Sequence, residues 1–130
     1  MKIKMICISL LILILFLLLG YCRNQKENIR ERYDSSINQV IILENKRLQK
    51  EKKLDDNEIL KREDTGIVVY SDGKYIELIY ELDSNKQNES LYKYNEKNNS
   101  YEQFPHTPNK LKKIQKYLEK TSYIENIGLK

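Results

Sequence analysis

The sequence predicts an α+β chain: an N-terminal apolar membrane helix, a helical stalk, and a four-stranded antiparallel meander packed by a C-terminal helix. Three observations predict it. Met5 to Leu19 is apolar apart from Cys7 and Ser9. Asn24 to Glu63 holds no glycine or proline and repeats its apolar residues at helical spacing. From Gly66 onward the apolar period changes to two. The divisions that follow are 1–21 for a signal peptide or membrane anchor, 22–64 for the stalk and 65–130 for a small α+β domain.

The first run is apolar on every side, so it cannot be the inner face of a core helix in so small a protein. It must enter a bilayer. Lys2 and Lys4 precede it, the basic-then-apolar order of a secretory signal. Positive charge before the apolar core favours a cytoplasmic N-terminus and sends the remainder across the membrane. Leu19-Gly20-Tyr21-Cys22 closes the run and resembles the lipobox of bacterial lipoproteins, with Tyr21 standing where that family has a small residue. The resemblance implies that Cys22 is the first mature residue and carries lipid through its sulfur. It implies anchoring at the cell membrane or outer membrane, with the polar domain outside the cytoplasm. Met5 to Tyr21 also reaches the lower length limit of a spanning helix. Membrane contact therefore comes through Cys22 or through residues 5–21, and a retained single-pass anchor is the alternative.

In the stalk, Ile29, Tyr33, Ile37, Val40, Ile41, Leu48 and, further on, Ile59 recur at steps that suit an amphipathic helix. Asp34 to Asn38 is expected to weaken it, since Ser and Asn compete for backbone hydrogen bonds. A second break is expected at Leu54 to Ile59, with Asp55 or Asp56 capping a short helix up to Lys61. A strict coiled coil fails: with Ile37 and Val40 in the seam, Glu44 and Arg47 take the next seam positions, and both are charged. The stripe is expected to pack on the protein's own sheet or on one partner. The membrane segment, this helix and Arg62, Glu63 and Gly66, with Asp72-Gly73 as a following turn, also resemble the septum-formation initiator family of bitopic division proteins. That resemblance implies a retained segment and a stalk that dimerises.

Residues 66–70 and 75–82 read as a hairpin closed by the two-residue turn Asp72-Gly73, where both residues accept positive φ. Ile76, Leu78, Tyr80 and Leu82 share one face; Tyr75, Glu77, Ile79 and Glu81 share the other. After a polar loop at 83–89, residues 90–95 and 100–104 form a second hairpin. Tyr70, Tyr75, Tyr80, Tyr92, Tyr94 and Tyr101 suit strands in a small core, or a recognition surface. Thr107 and Pro108 mark a helix start, and Leu111, Ile114 and Leu118 give it a stripe expected to cover the packed face of the sheet. Tyr123 to Ile127 can add an edge strand.

The formal net charge is +4, of which Lys2 and Lys4 supply two, and the remaining signs are mixed. That is not the clustered positive charge that phosphate backbones require, so nucleic acid is excluded as a partner. Cys7 and Cys22 both lie in or beside the apolar run, which leaves the polar part with no disulfide or thiolate site. His106, the chain's one histidine, falls in a loop and is expected to be solvent-exposed. No phosphate loop, metal-ligand cluster, cofactor motif or catalytic set is legible. The expectation is a membrane-tethered extracytoplasmic small protein, not an enzyme, that binds or scaffolds an envelope protein partner. A bitopic division protein and a lipoprotein inhibitor or immunity factor are the alternatives.

Overall fold

A computed structural model describes residues 2–82 and 85–128, without the side chains of 22–27. It divides into two units, Met1–Arg32 and Tyr33–Lys130. Helix α1, Lys2–Lys50, contributes to both. In the first unit, Lys2–Tyr21 is a 20-residue segment long and apolar enough to cross a membrane, and none of it is buried. Cys7 is exposed within it.

The second unit is an antiparallel sheet with a helix on each face. Its strands are β1 (Gly66–Tyr70), β2 (Tyr75–Glu81), β3 (Gln87–Asn95), β4 (Ser100–Phe104) and β5 (Thr121–Glu125), and helix α2 (Pro108–Leu118) lies between the last two in sequence. The sheet order is β4-β3-β2-β1-β5. The meander therefore has a fifth member: β5 pairs with β1, with a register shift between Val69 and Tyr70. The edge strand foreseen at 123–127 lies two residues earlier.

The helix expected for the stalk forms, and its stripe takes the first of the two expected surfaces, the protein's own sheet. From Tyr33 the helix belongs to the folded domain, where Tyr33, Ile37, Val40, Ile41 and Leu48 form one buried cluster with Ile67, Val69, Ile76, Leu78, Tyr80, Tyr92 and Tyr101. A stripe of this width finds more apolar surface on its own sheet than on a second helix. Nor does the helix break at Asp34–Asn38. The Oδ1 atoms of Asp34 and Asn38 accept from a distant arginine, described below, and so do not compete for backbone N–H groups of the helix. After Lys50 the chain turns without forming the expected short helix, and only a 3₁₀ turn, Arg62–Asp64, precedes β1. Asn45 anchors this connection, with its amide donating to Leu60 O at 3.1 Å and its Oδ1 accepting from Leu60 N at 2.6 Å.

α2 covers the opposite face from the one expected. Ile114, with Leu111, Tyr117 and Leu118, packs on Tyr75, Leu91, Tyr70 and Phe104. Paired residues share a face, so the register Tyr70↔Tyr75 and Leu91↔Phe104 assembles this second apolar patch away from α1. Thr107 makes no side-chain cap, and it is Pro108 at the first helical turn that sets the start. Four of the six tyrosines expected in strands are core residues: Tyr75, Tyr80, Tyr92 and Tyr101 are buried.

The β1–β2 connection is a four-residue loop, Ser71 to Lys74, closed by the pair Tyr70↔Tyr75. Asp72 and Gly73 have positive φ as expected, and Ser71 joins them. Gly73 stands at φ +92°, and a Cβ there would meet Tyr101 Oη at 3.4 Å. That same hydroxyl donates to Gly73 O at 2.5 Å. Gly73→Ala is therefore expected to destabilise the domain by about 1–2 kcal/mol, read as a lowered urea midpoint at unchanged slope.

Candidate functional site: carboxylates and a histidine on the open sheet face

α2 covers only part of its face. Beyond it, Val68, Glu77, Ile79 and Glu89 line the same surface, because Val68↔Glu77 and Ile79↔Glu89 are register pairs. The surface continues into a groove lined by Gly66, Ile79, Glu81, Gln87 and Ile127.

His106 comes to this surface from the segment after β4. Phe104 ends the ladder against Leu91, and Pro105, without an N–H, cannot extend it. Two residues past Phe104, the imidazole Nε2 lies 3.6 Å from Glu77 Oε1 and 3.4 Å from Glu89 Oε2. The remaining carboxylate oxygens are held by other donors. Tyr70 Oη donates to Glu77 Oε2 at 2.7 Å, and the Gln87 amide donates to Glu89 Oε1 at 2.9 Å. Burial, and then the Glu77 charge, push the Tyr70 phenol well above its ordinary range, so it remains a donor. Glu77 is mostly covered, whereas Glu89 and His106 are each more than a third exposed.

Sequence reasoning missed this group. It found no metal-ligand cluster and left His106 as an exposed loop residue. The imidazole is indeed exposed, but it faces two carboxylates brought in from two different strands. Only the β2–β3 register puts Glu77 and Glu89 on one diagonal, and the loop lengths that set it carry no motif.

A second polar cluster lies inside the α1–sheet core and holds the two together. Glu44 is fully buried. Its Oε1 accepts from Arg47 Nη2 at 2.6 Å, from Ser90 Oγ at 2.6 Å and from Tyr80 Oη. Its Oε2 accepts from Arg47 Nε at 3.1 Å and Tyr92 Oη at 2.5 Å. Burial alone would raise the pKa, but the bonds from Arg47, Ser90, Tyr80 and Tyr92 outweigh it and lower the value from 4.5 to about 2. Tyr80 is pushed up to about 12 by burial and by the carboxylate, so it stays a donor. Every partner donates and none is left to take a proton, which makes this a clamp between helix and sheet.

Arg62, matched in the sequence to the division-protein box, has a local role here. Its guanidinium makes a fork with Glu125 (2.9 and 2.8 Å) and reaches Asp34 at 2.7 Å and Asn38 at 3.1 Å. It thereby ties β5 to the helix. Cys22, the expected lipidation site, has a side chain outside the described residues.

The comparisons with known proteins agree with this architecture. A crystal structure of a DUF4467 family protein from Staphylococcus aureus superposes with a TM-score of 0.57 at 23% identity, over 72% of this chain and 95% of that one, which shows the same fold. No curated protein matches the chain. The family model for a domain of unknown function with cystatin-like fold (DUF4467) matches residues 33–126, beginning at the residue where the folded unit begins. The chain, an α1 helix laid on a five-stranded antiparallel sheet behind an apolar N-terminal segment, thus belongs to the DUF4467 family.

Proposed function

We propose that this protein is a membrane-tethered, extracytoplasmic lipoprotein, anchored through Cys22, whose cystatin-like domain binds or scaffolds a partner in the cell envelope. The observation that carries the reading is the contrast between the two units. Lys2–Tyr21 is apolar throughout and wholly unburied, while the polar chain from Tyr33 builds a complete core of its own. A segment with so much exposed hydrocarbon partitions into lipid at about 0.8 kcal/mol per buried methylene, far more than the domain could offer in return. The open face of the sheet, from Val68 and Ile79 to the groove beside Ile127, is the surface available for a partner. The buried stripe of α1 favours this reading over a dimerising stalk, since Ile37, Val40 and Leu48 are already occupied within the domain.

Mass spectrometry of the mature protein tests the anchor. The expected product begins at Cys22 and carries the added mass of acyl chains. Cys22→Ala is expected to leave the precursor uncleaved or release the domain from the membrane fraction. A mature form that retains Met1 and an unmodified Cys22 would replace this reading with a single-pass anchor.

A further inference from the structure

We propose that Glu77, Glu89 and His106 bind one divalent transition-metal ion, of the Zn²⁺ class. Three ligand atoms, from β2, β3 and the segment after β4, lie within 4.8 Å of one another. The distances discriminate between a proton and a metal as the bridging species. A protonated imidazole on a carboxylate forms a charge-assisted bond of about 2.7–2.9 Å. Here the nitrogen stands 3.4 and 3.6 Å from the two oxygens, too far for that bond. Two ligands each about 2.0–2.1 Å from a tetrahedral zinc are separated by roughly 3.3 Å, close to the two nitrogen–oxygen separations.

The surroundings support the same assignment. Each carboxylate has one oxygen fixed by a neutral donor, Tyr70 on Glu77 and Gln87 on Glu89, and its other oxygen turned to the imidazole. Such outer partners orient ligands and strengthen their affinity. Two carboxylates match the charge of a divalent ion, and the imidazole nitrogen favours zinc-class ions over Ca²⁺ or Mg²⁺. The exposed side of Glu89 and His106 leaves room for water or a partner's side chain at the fourth position. The site sits on the face free of α1 and makes no use of the Glu44 clamp.

The test is calorimetric titration of ZnCl₂ into the full chain in detergent, with no histidine tag and with Cys7→Ser and Cys22→Ser to remove competing thiols. Saturable binding of one equivalent in the micromolar range is expected. His106→Gln should abolish it, Glu89→Gln should weaken it by more than tenfold, and Tyr70→Phe should weaken it by roughly 10- to 100-fold. Because the chain has one histidine, its ring resonances report on the site directly in the chain that keeps His106. They should shift with one equivalent of Zn²⁺. Absence of saturable binding at about 1 mM Zn²⁺, affinity unchanged by His106→Gln, or imidazole resonances that do not move would each overturn the site.

Discussion

Glu44→Ala is expected to remove a large part of the stability of the folded domain. Truncation leaves Tyr80, Tyr92 and Ser90 hydroxyls buried without their acceptor and strips Arg47 of its carboxylate. Breaking a buried, hydrogen-bonded charge pair from one side costs about 3–5 kcal/mol, against a total of about 5–15 kcal/mol for a domain of this kind. Glu44→Gln keeps the shape but sets an amide NH₂ against donors whichever way it is turned, and should cost about 2–3 kcal/mol. The chain has ten tyrosines and no tryptophan, so urea unfolding can be followed by tyrosine fluorescence. A change below about 1 kcal/mol for Glu44→Ala would refute the clamp.

The same carboxylate sets an acid limit. Its folded pKa is about 2, below the ordinary 4.5, so the native state favours the charged form. The stabilisation is complete above pH 4.5 and is lost as the pH falls towards 2, when the buried carboxylate takes up its proton. This component amounts to about 3 kcal/mol. Thermal unfolding measured across that window should show the loss in the natural sequence, and a smaller loss in Glu44→Gln.

The second large effect is expected at Arg62. Its guanidinium joins three parts of the chain that are far apart in sequence: Asp34 and Asn38 on α1, the 3₁₀ turn where it sits, and Glu125 on β5. Arg62→Ala should cost about 2–3 kcal/mol, less than a fully buried pair because the side chain retains some solvent. Arg62→Lys should recover little, since an ammonium cannot form the two-pronged contact with Glu125 while still reaching Asp34. The loss should be local. Amide exchange should quicken in β5, which has one neighbouring strand, and stay slow in β2 and β3, which have two each. Uniform exchange across the sheet would show that Arg62 is not a tie specific to β5.

The sheet was legible because its signal is local. Alternation in 75–82 and the Asp72-Gly73 turn lie within a few residues of one another, and so does the Pro108 start of α2. The uninterrupted α1 was not legible, because Asp34 and Asn38 look like helix breakers until Arg62, beyond the next turn, engages them. Glu44 was noticed as a charge in an apolar seam. Its meaning depends on Tyr80, Ser90 and Tyr92, which reach it only after two strands have been laid in register. The carboxylate–histidine group was hidden for the same reason. The choice of face for α2 also escaped the sequence, since Tyr75 and Leu91 on one side and Ile76 and Leu78 on the other are equally apolar. The larger helix α1 takes the second of these, which leaves α2 the first.

β1 lies inside the sheet, yet its outer neighbour, β5, is synthesised after the other four strands of that sheet. Until Glu125 has left the ribosome, the backbone of residues 67–70 has an open hydrogen-bonding edge, and Arg62 has no carboxylate on the far side to grip. Translation must therefore pass Glu125 before this domain can close, so a nascent chain stalled or truncated ahead of Thr121 would present a sticky strand to whatever passes by.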